Sequence, residues 1–430
     1  VSRTASGNVA GAAPPARGAA DRSARLVLLL SLVSLVGYVL RSNITIAQEY
    51  MKPELGLTDQ NMGLITGWGF LLAYAAFQIP GGMLGDRFGA RRVLAVCVVF
   101  WGLASFASGV VPAVAGVAFV TLIASRIVLG IAQGPTYPVC AMAAARFIPP
   151  TGLVRASAIY LAAATLGSAL APLTLAPLMV AAGWRAVFVV SAVVGLVAAV
   201  LWYAFAPQDE PGDSTEPALP PRRTAGAHWG DVVRVAKHGP LMLLSTSYFL
   251  HSAVYYVFLY WFFQYLIQAR GFDILASGIG ASVPNFMAVI AAPLLGSVAD
   301  RLRGRVADAR ARRWVGTACL TIAATFVLIG AYAPNAFAAI ACLGVSVSCI
   351  VSAEAPYWTS ATALERQSTG AAGGMLNLMG NLGGILSVWL VPYMKGAWGW
   401  RPTLVVWAGV ALTAAALWLL VREAEHRVAA

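Results

Sequence analysis

Apolar runs of about 20 residues recur along the whole chain, and each is long enough to cross a hydrocarbon core of about 30 Å as a helix. Twelve are legible, at roughly 26–48, 61–83, 91–112, 115–140, 155–182, 186–206, 240–267, 276–299, 314–334, 336–360, 370–394 and 401–421. Of the 430 residues, 59% are hydrophobic and only 11% charged, against about 25% charged in soluble domains. The expected fold class is an all-α membrane protein with the lipid bilayer as its solvent.

The net charge of +12 suits nucleic acid as well as membrane, and placement decides between them. Lys and Arg gather in alternate inter-span segments: Arg22 and Arg25; Arg87, Arg91 and Arg92; Arg146 and Arg155; Arg222, Arg223, Arg234 and Lys237; Arg301 to Arg313; Arg366; Arg422 and Arg427. The intervening segments hold Lys52, Arg185, Arg270, Lys395 and Arg401. This is the positive-inside pattern, so nucleic acid is not expected as a partner. It places both termini in the cytoplasm, with the protein in the cell (inner) membrane. The Ala-, Gly- and Arg-rich 1–25 reads as a disordered tail, and no small-residue cleavage site follows it. The five cysteines lie in spans without metal-ligand spacing, so free thiols are expected.

An internal repeat divides the chain. "GWRAVFVV" at 183–190 returns as "GWRPTLVV" at 399–406, 216 residues later, and Asp86-Arg87 is echoed by Asp300-Arg301 after 214. A near-constant offset means a duplicated six-helix unit. The expected organisation is a six-helix bundle at 26–206, a Pro-, Gly- and charge-rich cytoplasmic connector at 207–239, a second bundle at 240–421, and a tail at 422–430.

"GGMLGDRFGARR" between the second and third spans matches G-x-x-x-D-R-x-G-x-[RK]-[RK] at Gly82, Asp86, Arg87, Gly89, Arg91 and Arg92. With it the chain resembles the major facilitator superfamily over 26–421, which implies two pseudo-symmetric bundles and alternating access. The motif reads as a conformational latch, with Asp86 offering its carboxylate to a neighbouring helix N-terminus or arginine and with Asp300 and Arg301 as its counterpart. Tyr38, Arg41 and Asn43, then Tyr74, Gln78, Pro80 and Gly81, then Arg126, Gly130, Gly134 and Pro138, and "GNLGG" at 380–384 resemble the anion:cation symporter branch, which includes sugar-acid and sialin-like organic-anion transporters.

Arg41 stands inside the first span, where a charge costs about 2.5–3.5 kcal/mol on insertion scales and marks a wet cavity. Its planar fork matches a carboxylate, so the expected partner is a small organic anion, with an internal ion pair as the alternative. Tyr38, Tyr74 and Gln133 would line that site. Where the resembled branch commonly has acids, this chain has Leu40 and Gln133, which leaves Glu354, alone well inside a span, as the candidate for proton coupling or for a permanent pair with Arg126 or a cytoplasmic arginine. Arg126 and His251 are further coupling candidates, though His251 also suits packing. Asn377 and Asn381, four apart on one face, suit ligand hydroxyls or helix-to-helix bonds equally. Trp261, Phe262 and Phe263 are expected in the interfacial belt.

Motifs for metal hydrolysis, phosphate binding and serine catalysis are missing from the sequence, so neither an enzyme nor a cofactor is expected. The resulting expectation is a monomeric carrier, a proton symporter or else an exchanger or uniporter, with an anion sensor built on a carrier fold as the other class.

Overall fold

A computed structural model describes residues 17–208, 234–303, 306–365 and 369–421. Most of the connector, residues 1–16 and the tail at 422–430 lie outside these, whereas 17–25, expected as part of a disordered tail, are helical and open α1. Every regular element described is helical. We number them α1 (Arg17–Leu55), α2 (Asp59–Phe88), α3 (Ala90–Gly109), α4 (Gly116–Phe147), α7 (Gly239–Arg270), α8 (Ile274–Arg303), α9 (Asp308–Tyr332), α10 (Ala336–Leu364), α11 (Thr369–Trp398) and α12 (Trp400–Leu420). The stretch Pro150–Phe205 holds α5 (150–182) and α6 (184–205), separated by Gly183 at φ +81°. Among the described residues eleven helices are long and apolar enough to span a membrane, and the division at Gly183 makes twelve.

The duplication is visible in the backbone. Gly183 and Gly399 have φ of +81° and +80°, a conformation that glycine adopts without steric cost. The indole after each reaches the end of the first helix of its own half: Trp184 Nε1 donates to Glu54 at 2.6 Å, and Trp400 Nε1 to Gln268 at 3.3 Å. Arg91, opening α3, donates to the Tyr203 carbonyl at 2.9 and 2.6 Å, while Arg313 near the start of α9 donates to that of Val421 at 3.1 Å. Each guanidinium satisfies a carbonyl that the final turn of a helix cannot pair.

Local chemistry sets the breaks. Thr58 caps α2 through a reciprocal bond pair with Asn61. Gly89, at φ +81°, ends α2. Within α2, Leu64–Leu72 is wound as a π-helix, and α4 is interrupted at Gly134-Pro135.

The halves meet firmly at the end that charge placement assigns to the outside. Asp59 binds Lys52 of its own half at 2.6 Å and Lys395 of the other at 2.7 Å. Gln268 donates to Glu49 at 3.0 Å and accepts from Lys395 at 2.9 Å. Deeper, Gln264 donates to the Thr45 carbonyl at 2.7 Å. Trp261, Phe262 and Phe263 are buried here, which corrects their expected place in the interfacial belt. Trp261 Nε1 donates to the Val388 carbonyl of α11, and both phenylalanines line a cavity of about 30 Å3 with Ser42, Thr45 and Ser168. Their apolar area seals one half to the other instead of facing lipid.

Candidate functional site

Arg41 is only 4% exposed. Its Nε and Nη2 both donate to Gln133 Oε1, at 3.2 and 3.1 Å, and Gln133 Nε2 donates to the Gly37 carbonyl one turn earlier in α1, at 2.9 Å. The amide is thereby held with its oxygen toward the guanidinium. Three rings enclose the cation: Tyr38, Phe70 and Tyr74, with centroids 4.6, 4.8 and 4.7 Å from Cζ, within the range of cation–π attraction. Among the described residues Arg41 has no carboxylate partner, so the alternative of an internal ion pair is not what this structure contains. Phe70 and Tyr74 come this close because α4 carries Gly130, where a Cβ would lie 2.4 Å from the Phe70 carbonyl oxygen.

Arg126 is also buried and has no carboxylate among the described residues. Its Nη2 donates to Asn43 Oδ1 at 3.2 Å and Ser108 Oγ at 3.3 Å, and its Nε has no hydrogen-bond partner. Asn43 in turn donates to Ser105 at 3.1 Å. Arg126 thus faces a polar seam inside the first half.

Glu354 is half-buried on α10 and pairs with neither arginine. It accepts from Tyr248 of α7 at 2.5 Å and from Trp358 Nε1, one turn on, at 2.8 Å, so among the described residues the expected alternative of a permanent arginine pair is not made. Beside it, His251 Nε2 lies 2.9 Å from the Ile350 carbonyl oxygen. The imidazole stacks on Tyr248 with centroids 5.3 Å apart, and its Nδ1 is unpartnered.

Asn377 donates to Gln78 across the two halves, and Asn381 Nδ2 donates to the Asn377 carbonyl at 2.8 Å. Both readings of the pair thus have something to stand on: a bond between helices, and amides at the junction of the halves, where the buried Asn381 Oδ1 remains unpaired.

The latch residues divide. Arg91 caps α6 as above, Gly89 makes the turn, and Gly82 approaches Pro138 of α4, where a Cβ would lie at 3.5 Å. Arg87 stands over the Phe88 ring at 5.1 Å. Asp86 is exposed and has no partner among the described residues, so the carboxylate contact expected of it is not made in this conformation. Arg92 and Arg301 are exposed; the side chain of Asp300 lies outside the described set.

Sequence reasoning missed one residue that encloses Arg41. Phe70 lies in the π-helical stretch, with its ring centroid 4.8 Å from Arg41 Cζ. A guanidinium enclosed by three rings, with an amide as its acceptor and no carboxylate partner among the described residues, offers charge and donors to a carboxylate.

Residues 27–307 match the Major Facilitator Superfamily. The probable sulfoacetate transporter SauU of Cupriavidus necator is 29% identical over 85% of this chain and 86% of its own. The hexuronate transporter of Bacillus subtilis is 26% identical over 84% and 85%, and the D-galactonate transporter of Escherichia coli O6:H1 is 25% identical over 94% and 96%. Among solved structures, a bacterial homologue of the human lysosomal transporter Spinster, inward-facing and unoccupied, superposes with a TM-score of 0.78 at 18% identity, covering 95% of this chain and 98% of that one. A D-xylose-proton symporter gives 0.70 at 17%, over 93% and 98%. These two are likenesses of fold alone. With twelve helices in two related halves and a family match across most of its length, the chain belongs to the Major Facilitator Superfamily of membrane transporters.

Proposed function

We propose that the protein imports a small organic anion, a sugar acid or another hydroxy or aromatic carboxylate, by alternating access. The observation that carries this reading is the burial of Arg41 among three aromatic rings with an uncharged amide as its acceptor. A permanent cation kept inside a membrane span without a counter-ion is stabilised by an anion that arrives. Tyr38, Tyr74 and Gln133 complete the carboxylate site, and Asn377 and Asn381 take the hydroxyl groups. Relatives named for sulfoacetate, hexuronate and galactonate support the class of substrate.

In this reading Glu354 carries the coupled proton, with His251 and Arg126 as secondary candidates. The sequence around Gly82, Asp86, Arg87, Gly89, Arg91, Arg92, Asp300 and Arg301 latches the cytoplasmic side when the outer side opens. The protein works as a monomer in the inner membrane, with both termini and the 207–239 connector in the cytoplasm. A second reading, an exchanger or uniporter without proton coupling, is favoured by Leu40 and Gln133, neither of which can titrate.

The test is counterflow of galactonate, hexuronate and sulfoacetate in proteoliposomes. Saturable counterflow by the wild type is expected. Arg41→Ala should abolish it in folded protein, and Arg41→Lys should restore little, since an ammonium lacks the fork. Normal uptake by the alanine variant would end the reading; binding without counterflow would indicate a sensor.

A further inference from the structure

Against the Arg41–Gln133 pair lies a cavity of about 10 Å3. Three of its lining residues, Ser34 of α1, Trp101 of α3 and Thr136 of α4, are at most 4% exposed. Each carries a buried polar atom, Ser34 Oγ, Trp101 Nε1 and Thr136 Oγ1, that has no hydrogen-bond partner. Buried polar atoms in folded proteins are nearly always paired, and three orphans around one small space point to a common partner.

Their chemistry selects it. The indole N–H can only donate, so the guest must accept; the two hydroxyls can donate or accept, so the guest can also give its own hydrogens to them. A site for one water needs roughly 10–15 Å3 and two to four polar partners, and the cavity meets both requirements. We infer that it is the site of one ordered water, held by Ser34, Trp101 and Thr136 beside Arg41 and Gln133.

Its position gives the water a task. Gln133 and Thr136 lie three residues apart on α4, so a molecule bonded to Thr136 and Trp101 ties α3 to the turn that presents the Gln133 amide to Arg41. All the walls come from one half. A movement of the two halves against each other therefore does not by itself take the walls of the site apart. The site stands whether or not Arg41 receives an organic anion, so its failure and the failure of the proposed function are separable.

The experiment is a structure of the full-length protein, at a resolution that reveals ordered water, from crystals grown in chloride and in bromide. One peak within hydrogen-bond distance of all three atoms is expected, identical in both salts and without bromide anomalous signal. An anomalous peak would replace the water by a halide and overturn the proposal. So would an empty cavity, or the hydroxyls turned to backbone carbonyls. Thr136→Val gives an independent reading in solution: if a water is held, losing one of its partners lowers the thermal midpoint, whereas a rise would mean that an unsatisfied hydroxyl had been relieved and that the cavity is dry.

Discussion

Asp59, at the first turn of α2, and Lys395, in the last turns of α11, hold the two halves together through a contact of 2.7 Å, with the lysine side chain only 5% exposed. The ammonium also lies 5.1 and 4.9 Å from the Trp261 and Trp400 ring centroids, so this pair is better shielded than a surface salt bridge. Removing it by Lys395→Ala should favour opening at that end by about 1–2 kcal/mol, roughly 5- to 30-fold in population. Spin labels at Gln60 and Ala397 should then report a longer distance in detergent and in lipid. An unchanged distance distribution would mean that this pair does not hold the end closed.

Glu354→Gln keeps an oxygen for Tyr248 and Trp358 but removes the titratable group. In a proton symporter this variant should lose accumulation driven by a pH gradient and retain substrate exchange, which moves no net proton. Wild-type accumulation would make Glu354 structural and favour the exchanger or uniporter.

Close packing of α7 on α11 rests on Gly383, where a Cβ would lie 2.1 Å from the Phe249 carbonyl oxygen. Gly383→Ala should cost about 1–3 kcal/mol through overpacking, read as a lower thermal midpoint. Gly374→Ala is the control, because no atom lies within 4 Å of a Cβ there. Equal midpoints for the two variants would contradict the packing account.

The orientation rests on charge placement alone. Single cysteines introduced in 207–239, which carries Arg222, Arg223, Arg234 and Lys237, should react with an impermeant maleimide only once the cytoplasmic side is accessible. Labelling of intact cells would invert the topology.

The spans and the repeat were legible because apolar length and the Gly-Trp-Arg turns are local properties. Arg41 was legible for the same reason, since a cation inside an apolar run needs no neighbour to be noticed. Its acceptor, Gln133, could be named as lining the site, but the direction of its amide depends on the Gly37 carbonyl of another helix. The pairing of Asp59 with Lys395 joins helices far apart in sequence, and no local pattern encodes it. Trp261, Phe262 and Phe263 were misplaced because a bilayer and a partner helix are equally apolar, so composition alone does not distinguish lipid from protein contact.

The π-wound stretch Leu64–Leu72 has a consequence for everything after it in α2. An α-helix advances its side chains by one turn every 3.6 residues, whereas the wider π coil spends more residues on each turn. Side chains beyond Leu72 therefore lag in phase behind a helical wheel drawn from Asp59. That lag sets the direction in which Tyr74 meets Arg41 and Gln78 meets Asn377. Deleting one residue between 64 and 72 would let the coil tighten toward α geometry while the span still crosses the bilayer, and it would turn both side chains off their present bearing without touching either one.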